Sequence, residues 1–208
     1  MNGTQHMTIG AATGWIVSRT IPHDMPTTLL LVGLGAVTGL LPDIDVDGKL
    51  SNKITFSHKV IRSVAQAIGL LMIVYSLLVG VGTAKFQGIG IGVGMMIVSS
   101  FLTQRRMLTV TGIGVLAVGI SLHQSWLTLL GVYIIIASFI PHRSYTHSIA
   151  GVIFFSVIAK QFQTSCGING AFTVCMAGYI SHLIADMKIL PFNKRGVKFF
   201  LPLWKKEF

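Results

Sequence analysis

The chain has 208 residues, of which 52% are hydrophobic and 11% charged, and its mean hydropathy is +0.73. Soluble domains carry about 25% charged residues, so this composition excludes an ordinary soluble globular protein, and it is too apolar for a disordered chain. In a membrane protein a net charge of +10 reflects topology, because Lys and Arg collect in cytoplasmic loops and beside anionic head groups. No basic stripe alternates with aromatic residues, as it would in a nucleic-acid-binding module. We therefore expect a protein of the lipid bilayer with no direct nucleic-acid binding.

Apolar runs between polar breaks predict an all-α fold, a polytopic integral membrane helical bundle with about seven to eight membrane segments. The predicted segments are 7–20, 27–41, 60–83, 88–104, 107–122, 125–141, 148–163 and 169–187. Several are shorter than the ~20 residues that cross a bilayer core, so we expect some to be short, tilted or re-entrant. The length predicts a single membrane-embedded domain over 1–208.

Glycine is frequent in these segments. The alternating glycines of 88–94 do not follow a strand, which argues against a nucleotide-binding loop. The pairs Gly10/Gly14 and Gly35/Gly39 are spaced four apart, a pattern typical of closely packed membrane helices. Residues 188–208 mix six basic residues with aromatic and leucine side chains, which predicts a basic interfacial tail, the alternative being an unattached basic tail.

Successive polar breaks alternate between two sides of the membrane, and the basic residues are unevenly divided between them. Of the 16 Lys and Arg residues, Arg19, Lys85 and Lys160 lie on the side opposite the N-terminus, and the other 13 lie on the N-terminal side. Lys and Arg collect in cytoplasmic loops. The distribution therefore predicts an inner (plasma) membrane protein with both termini in the cytoplasm.

The chain has only six acidic residues, so their positions are informative. Asp43, Asp45 and Asp47 lie close together after the second segment, and Asp186 lies near the end of the last segment, four residues after His182. Residues four apart share one helical face, so His182 and Asp186 can converge on one ion. Ionisable groups are costly at membrane depth, and this pair therefore predicts a metal or catalytic site.

A third polar cluster, residues 141–148, places His142, Arg143 and His147 at a turn that opens a helix. Both imidazoles can face one pocket there, where the helix N-terminus also attracts phosphate. We expect the hydroxyl of Ser148 or Thr146 to cap the helix and not to act as a nucleophile.

Seven His and Asp side chains fall at the cytoplasmic ends of their segments, and we predict them as metal ligands. They are His6, Asp43, Asp45, His142, His147, His182 and Asp186. His23 and His123 lie on the opposite side and His58 adjoins Lys59 at a helix start, so these three histidines are not assigned to the site. Imidazole and carboxylate without thiolate suit Zn, Mn or Fe, and either one ion or a two-metal centre fits the set.

At these residues the chain resembles the membrane-bound, metal-dependent hydrolases of the YdjM type, a family described as LexA-binding and associated with the inner membrane. The matching motifs are Thr4-Gln5-His6, Gly39-Leu40-Leu41-Pro42-Asp43-Ile44-Asp45, His142-Arg143-Ser144-Tyr145-Thr146-His147-Ser148 and Gly178-Tyr179-Ile180-Ser181-His182-Leu183-Ile184-Ala185-Asp186. The resemblance implies a metal-dependent hydrolase whose metal and catalytic residues are the His and Asp of these motifs. About 100 residues separate Asp43 from His142, a longer connection than is usual in the family, but the four segments in it preserve the sidedness.

A site at the cytoplasmic membrane surface reaches amphiphilic molecules, so the expected reaction is hydrolysis of a phosphoester in a lipid or lipid-linked substrate. Metal-activated water would attack the phosphoester. Asp45 or His142 would move the proton, and Arg143 would bind phosphate oxygens. Lys49 is interpreted mainly as part of the cytoplasmic positive charge.

Two other functions fit the sequence. A metal-ion transporter would place acids or histidines at mid-membrane depth and on both faces, whereas here they gather on one face. A membrane tether for a regulatory protein partner is the second alternative, suggested by the description of the family.

Overall fold

The computed structural model describes residues 3–21, 24–44, 58–141, 144–188, 196–201, 204 and 207 of the chain. Within these ranges the fold is all-α, with no β-strand. The α-helices are α1 (Gly3–Ser18), α2 (Met25–Thr38), α3 (His58–Val79), α4 (Gly82–Ser100), α5 (Gln104–Ser121), α6 (Ser125–Phe139), α7 (Ile149–Cys166) and α8 (Ala171–Ala185). Two short 3-10 turns, Leu41–Ile44 and Tyr145–His147, follow α2 and precede α7.

Each helix coincides with one of the predicted apolar segments, which confirms the all-α prediction. The differences lie at the ends: α1 begins at Gly3 instead of near residue 7, and α4 begins at Gly82 instead of near residue 88. Hydropathy does not mark a helix end whose first turn is polar, because backbone hydrogen bonding continues through polar residues such as Thr4 and Gln5.

Among the described residues, two helical stretches are long and apolar enough to cross a membrane, Lys59–Val79 and Ile149–Cys166. If α4 and α5, which are separated by a break at residues 101–103, form one interrupted span, they make a third. The helices α2, α6 and α8 are apolar but have only 14 to 15 residues.

The chain forms two compact units, Met1–Ser51 with Leu108–Phe208, and Asn52–Met107. In the second unit α3 packs on α4 through glycine: a Cβ atom at Gly92 would lie 2.6 Å from the Gly69 carbonyl oxygen. Gly88 lies against the side chain of Ser76. All four alternating glycines therefore lie within a helix and not in a loop after a strand, and two of them, Gly88 and Gly92, pack against α3, whereas a Cβ atom at Gly90 or Gly94 would have nothing within 4 Å.

In the first unit, glycines bring α1, α2 and α8 into backbone contact. Gly10 lies against the carbonyl of Gly35. A Cβ atom at Gly39 would lie 2.9 Å from the His6 carbonyl oxygen, and one at Gly178 would lie 2.7 Å from the Gly35 carbonyl oxygen. These distances leave no room for a side chain, which confirms the packing predicted from the four-residue spacing.

The start of the C-terminal segment docks on the same unit. Val197 is fully buried in the core cluster that includes Leu41, Ile44 and Leu183. The Ile149 N–H donates to the carbonyl of residue 199 at 2.9 Å. The single membrane-embedded domain and the interfacial tail over 188–208 stay predictions.

The glycine contacts predict a position-specific effect of substitution within α2. In Gly35→Ala the new methyl group would lie 2.9 Å from Gly14 Cα and 3.1 Å from Gly14 N, which are backbone atoms that cannot rotate away. We expect the free energy of unfolding to fall by about 1–3 kcal/mol or more, measured by thermal unfolding in detergent. The control is Gly33→Ala, where nothing lies within 4 Å; equal melting temperatures for the two variants would contradict the packing.

Candidate metal site

Five ionisable side chains from four separate parts of the chain meet at one end of the first unit. They are His6 in α1, Asp43 in the turn after α2, His147 in the turn before α7, and His182 and Asp186 at the C-terminal end of α8. These positions are the start of α1, the end of α2, the start of α7 and the end of α8, which are the ends predicted to lie on one side of the membrane.

Four of these side chains direct one nitrogen or oxygen atom each toward a common centre. His147 Nε2 and His182 Nε2 lie 3.2 Å apart. Asp43 Oδ1 lies 3.6 Å from both nitrogens, and Asp186 Oδ2 lies 3.8 Å from His147 Nε2 and 3.7 Å from His182 Nε2. One ligand atom from each of the four residues lies within 4.8 Å of all the others.

These separations suit a metal ion. Nitrogen and oxygen ligands about 2.0–2.1 Å from a tetrahedral ion lie about 3.3 Å from one another. The separations that include a histidine nitrogen, 3.2 to 3.8 Å, are close to this spacing. The four residues could therefore hold a metal ion after small side-chain movements, without any change in the positions of the helices.

Hydrogen bonds behind the imidazoles orient their ligand atoms. His182 Nδ1–H donates to the Gly39 carbonyl oxygen at 2.7 Å, and a carbonyl can only accept, so the neutral ring carries its lone pair on Nε2. His147 Nδ1 lies 3.1 Å from Thr146 Oγ1, which can accept the same kind of bond. With this tautomer on both rings, two lone pairs point at each other across 3.2 Å, and a cation between them removes the repulsion.

Because the cluster is buried, its net charge strongly affects its stability. His147 and His182 are 0% exposed, Asp186 is 1% exposed and Asp43 is 8% exposed. Two carboxylates held this close and away from water are costly unless a positive charge accompanies them. A divalent cation with two neutral imidazoles and two carboxylates gives a site with no net charge, so the donor set fits a metal ion both chemically and electrostatically.

His6 contacts the cluster from outside the set of four. Its Nε2 lies 3.2 Å from Asp186 Oδ1, the carboxylate oxygen that faces away from the other histidines, and its ring stacks on His182 with centroids 3.8 Å apart. The side chain is 1% exposed, and its Nδ1 has no hydrogen-bond partner among the described residues. His6 is therefore placed to orient Asp186 and His182.

Several hydrogen bonds hold the turn before α7, and the sequence predicted only some of them. Ser148 caps α7, since its Oγ accepts from the Gly151 N–H at 3.5 Å, as predicted for Ser148 or Thr146. Thr146 instead contacts His147 through its hydroxyl, and its carbonyl accepts a hydrogen bond from the Tyr179 hydroxyl. The roles of the Gly39 carbonyl and of Tyr179 were not predicted, because a backbone carbonyl and a core tyrosine have no distinctive sequence signal.

The structure does not describe the remaining residues predicted for the site. Asp45, His142, Arg143 and Lys49 lie outside the described residues, so their predicted ligand, proton-transfer and phosphate-binding roles stay predictions. His123, which was not assigned to the site, is exposed in the turn between α5 and α6. Neither cysteine joins the metal-binding group, which agrees with a site without thiolate.

The sequence of the whole chain identifies its family. The model of the YdjM inner membrane protein family matches residues 1–208, including the long connection between Asp43 and His142. The chain belongs to this family. No curated protein and no solved structure shows a significant match to it. Membership confirms the resemblance based on four motifs, and the YdjM family is one of inner membrane proteins.

Removing a ligand should remove the metal. We expect His182→Ala and Asp186→Ala to lower metal affinity by at least about 100-fold, because the four-atom set loses a donor and a buried charge is left uncompensated. Elemental analysis of detergent-purified protein measures the loss. His123→Ala is the matched control, since this exposed histidine lies away from the cluster; wild-type metal content in both site variants would contradict the site.

The position of His6 predicts a smaller effect. His6→Ala leaves the four donor atoms in place and removes the ring that contacts Asp186 Oδ1, so we expect metal affinity to fall about 10- to 100-fold at unchanged stoichiometry. Titration of the metal-free protein measures both quantities. A fall in the number of bound ions from two to one would show instead that His6 is the ligand of a second ion.

Proposed function

We propose that this chain is a metal-dependent hydrolase of the inner membrane, which cleaves a phosphoester in a lipid or lipid-linked substrate at the cytoplasmic face. The observation that carries the proposal is the convergence of Asp43, His147, His182 and Asp186 in one buried cluster. Zn, Mn and Fe are the metals that suit imidazole and carboxylate ligands. The distances favour one ion held by the four residues, and a fifth position on that ion would be the one for water.

The proposal includes a membrane topology. The eight helices that the structure describes would lie in or across the bilayer, the shorter ones tilted or in a thinned region, with both termini and the site at the cytoplasmic side. Exposed apolar side chains such as Leu78, Val81 and Phe86 support contact of the helices with lipid. The excess of Lys and Arg on the side of the cluster supports the cytoplasmic assignment.

A bound divalent metal supplies activated water and a Lewis acid for a phosphoryl oxygen. The chain itself holds the ligand geometry: the Gly39 carbonyl fixes the His182 ring, Thr146 orients His147, and His6 orients the Asp186 carboxylate. Burial keeps bulk water from these groups. The Asp43 side chain is 11% exposed while those of His147 and Asp186 are 0% and 2% exposed, so Asp43 marks the open edge of the site.

Hydrolysis fits the position of the site better than transport does. Among the residues that the structure describes, the cluster is the only group of three or more His, Cys, Asp or Glu side chains that could hold a metal. A translocation path would require further polar sites along the helices. A site confined to one end of the helices instead suits chemistry on a molecule that lies in the membrane surface.

The experiment is an assay of phosphate release from a panel of phospholipids and isoprenoid phosphates in mixed micelles. We expect release to require Zn, Mn or Fe, to disappear on chelation, and to fall at least about 100-fold in Asp186→Asn, which keeps the size of the side chain. His123→Ala is expected to keep wild-type activity.

Other outcomes would favour the alternatives. Metal uptake into proteoliposomes that Asp186→Asn abolishes, without hydrolysis, would indicate a transporter. Binding of a cytosolic protein that survives replacement of Asp43, His147, His182 and Asp186 together, without hydrolysis by the wild type, would indicate a membrane tether.

A further inference from the structure

A cavity of about 320 Å³ lies between the second half of α6, the turn Tyr145–His147 and the start of α7. Its walls include Tyr133, Ile136, Ala137, Ile140, Ala150 and Phe154. The lining is almost entirely apolar. Its volume falls at the lower end of the ~300–1,000 Å³ that is typical of small-molecule sites.

Two polar residues of the cavity wall, Tyr133 and Thr146, have hydrogen-bond partners. The hydroxyl groups of Tyr133 and Tyr179 lie 3.0 Å apart, and the Tyr179 hydroxyl donates to the carbonyl of Thr146. Because these groups are already hydrogen-bonded, the cavity offers few partners to a water molecule and favours an apolar occupant. It is therefore a site for hydrocarbon.

The cavity shares a wall with the cluster of His and Asp side chains. Thr146 lines the cavity, and its Oγ1 lies 3.1 Å from His147 Nδ1. Tyr179 precedes His182 by one turn of α8 and contacts the same threonine. A hydrocarbon chain in the cavity would thus belong to a molecule whose polar end is next to the donor atoms.

The rim of the cavity is apolar and accessible. Ile136 is 46% exposed and Tyr145 is 41% exposed, and Ala150 is also exposed. In a bilayer these side chains face acyl chains, so a chain can enter sideways without crossing water. Within the cavity Tyr133 is only 5% exposed, so a reagent on the outer surface does not reach it.

We propose that this cavity binds one acyl or isoprenoid chain of the substrate while its phosphoester lies at the metal cluster. This inference rests on the proposed function and specifies its substrate. The substrate is a lipid that inserts one of its chains into the cavity, a contact that a water-soluble phosphoester cannot make. Ala150 and Ile136 then limit the width of the chain that is accepted.

The probe is a phosphatidic acid with a photoactivatable diazirine at the end of one acyl chain, presented in lipid nanodiscs to the purified protein. We expect labelling of Tyr133, mapped by mass spectrometry, in the wild type. Ala150→Trp should lower this labelling at least about tenfold, because an indole in the cavity excludes the chain. The matched control is Ile153→Trp on the same helix, since Ile153 is 60% exposed and does not line the cavity.

Metal content measured on the same samples shows that each variant is folded. If Ala150→Trp does not retain wild-type metal content, Ile136→Trp tests the opposite wall of the cavity. Its control is Phe139→Trp, because Phe139 is 62% exposed and does not line the cavity. Absence of label at Tyr133 in the wild type, or equal labelling in the cavity and control variants, would overturn the inference while metal-dependent hydrolysis could persist. Labelled Tyr133 without metal-dependent phosphate release would overturn the proposed function and leave a lipid-binding cavity.

Discussion

The close approach of α1, α2 and α8 along their glycines is the constraint on which the site depends. His6, Gly10 and Gly14 follow one another at four-residue intervals, so they occupy one face of α1. Gly178, His182 and Asp186 do the same on α8. Because the glycines allow the backbones to touch, the histidines one turn further along reach each other, and the Gly39 carbonyl comes within hydrogen-bond distance of His182. Helix packing and ligand geometry are therefore one feature of this protein.

Electrostatics explains why such a cluster could hold a cation. The carboxylates of Asp43 and Asp186 are buried together, and the nitrogens of His147 and His182 that face each other between them are acceptors when their Nδ1 atoms carry the protons. Because these groups are buried, little water reaches them to stabilise this concentration of negative charge and lone pairs. The hydrogen bonds behind the rings hold the acceptors in place, as in the sites of proteins whose histidines bind a metal.

The turn Tyr145–His147 connects the metal cluster with the apolar cavity. It presents His147 to the cluster on one side and Tyr145 and Thr146 to the cavity on the other. Its position between α6 and α7 is held by the Tyr179 hydroxyl and by the Ser148 cap. An amphiphilic substrate needs a polar centre and a hydrocarbon site at a short distance, and this turn brings the two together.

Sequence alone determined the class of protein and five of the side chains that meet in the cluster, which are His6, Asp43, His147, His182 and Asp186. Lipid requires apolar helix surfaces, so hydropathy marks the eight helices of the described ranges. The even number of segments between Asp43 and His147 predicts that both residues lie at the same end of the fold. The one-turn spacing of His182 and Asp186 places them on one helix face. Only the tertiary structure decided which atoms meet. Whether His6 contacts Oδ1 of Asp186 while His147 and His182 face Oδ2 depends on how closely helices pack, and the partner of His182 is a backbone carbonyl whose position no residue type encodes.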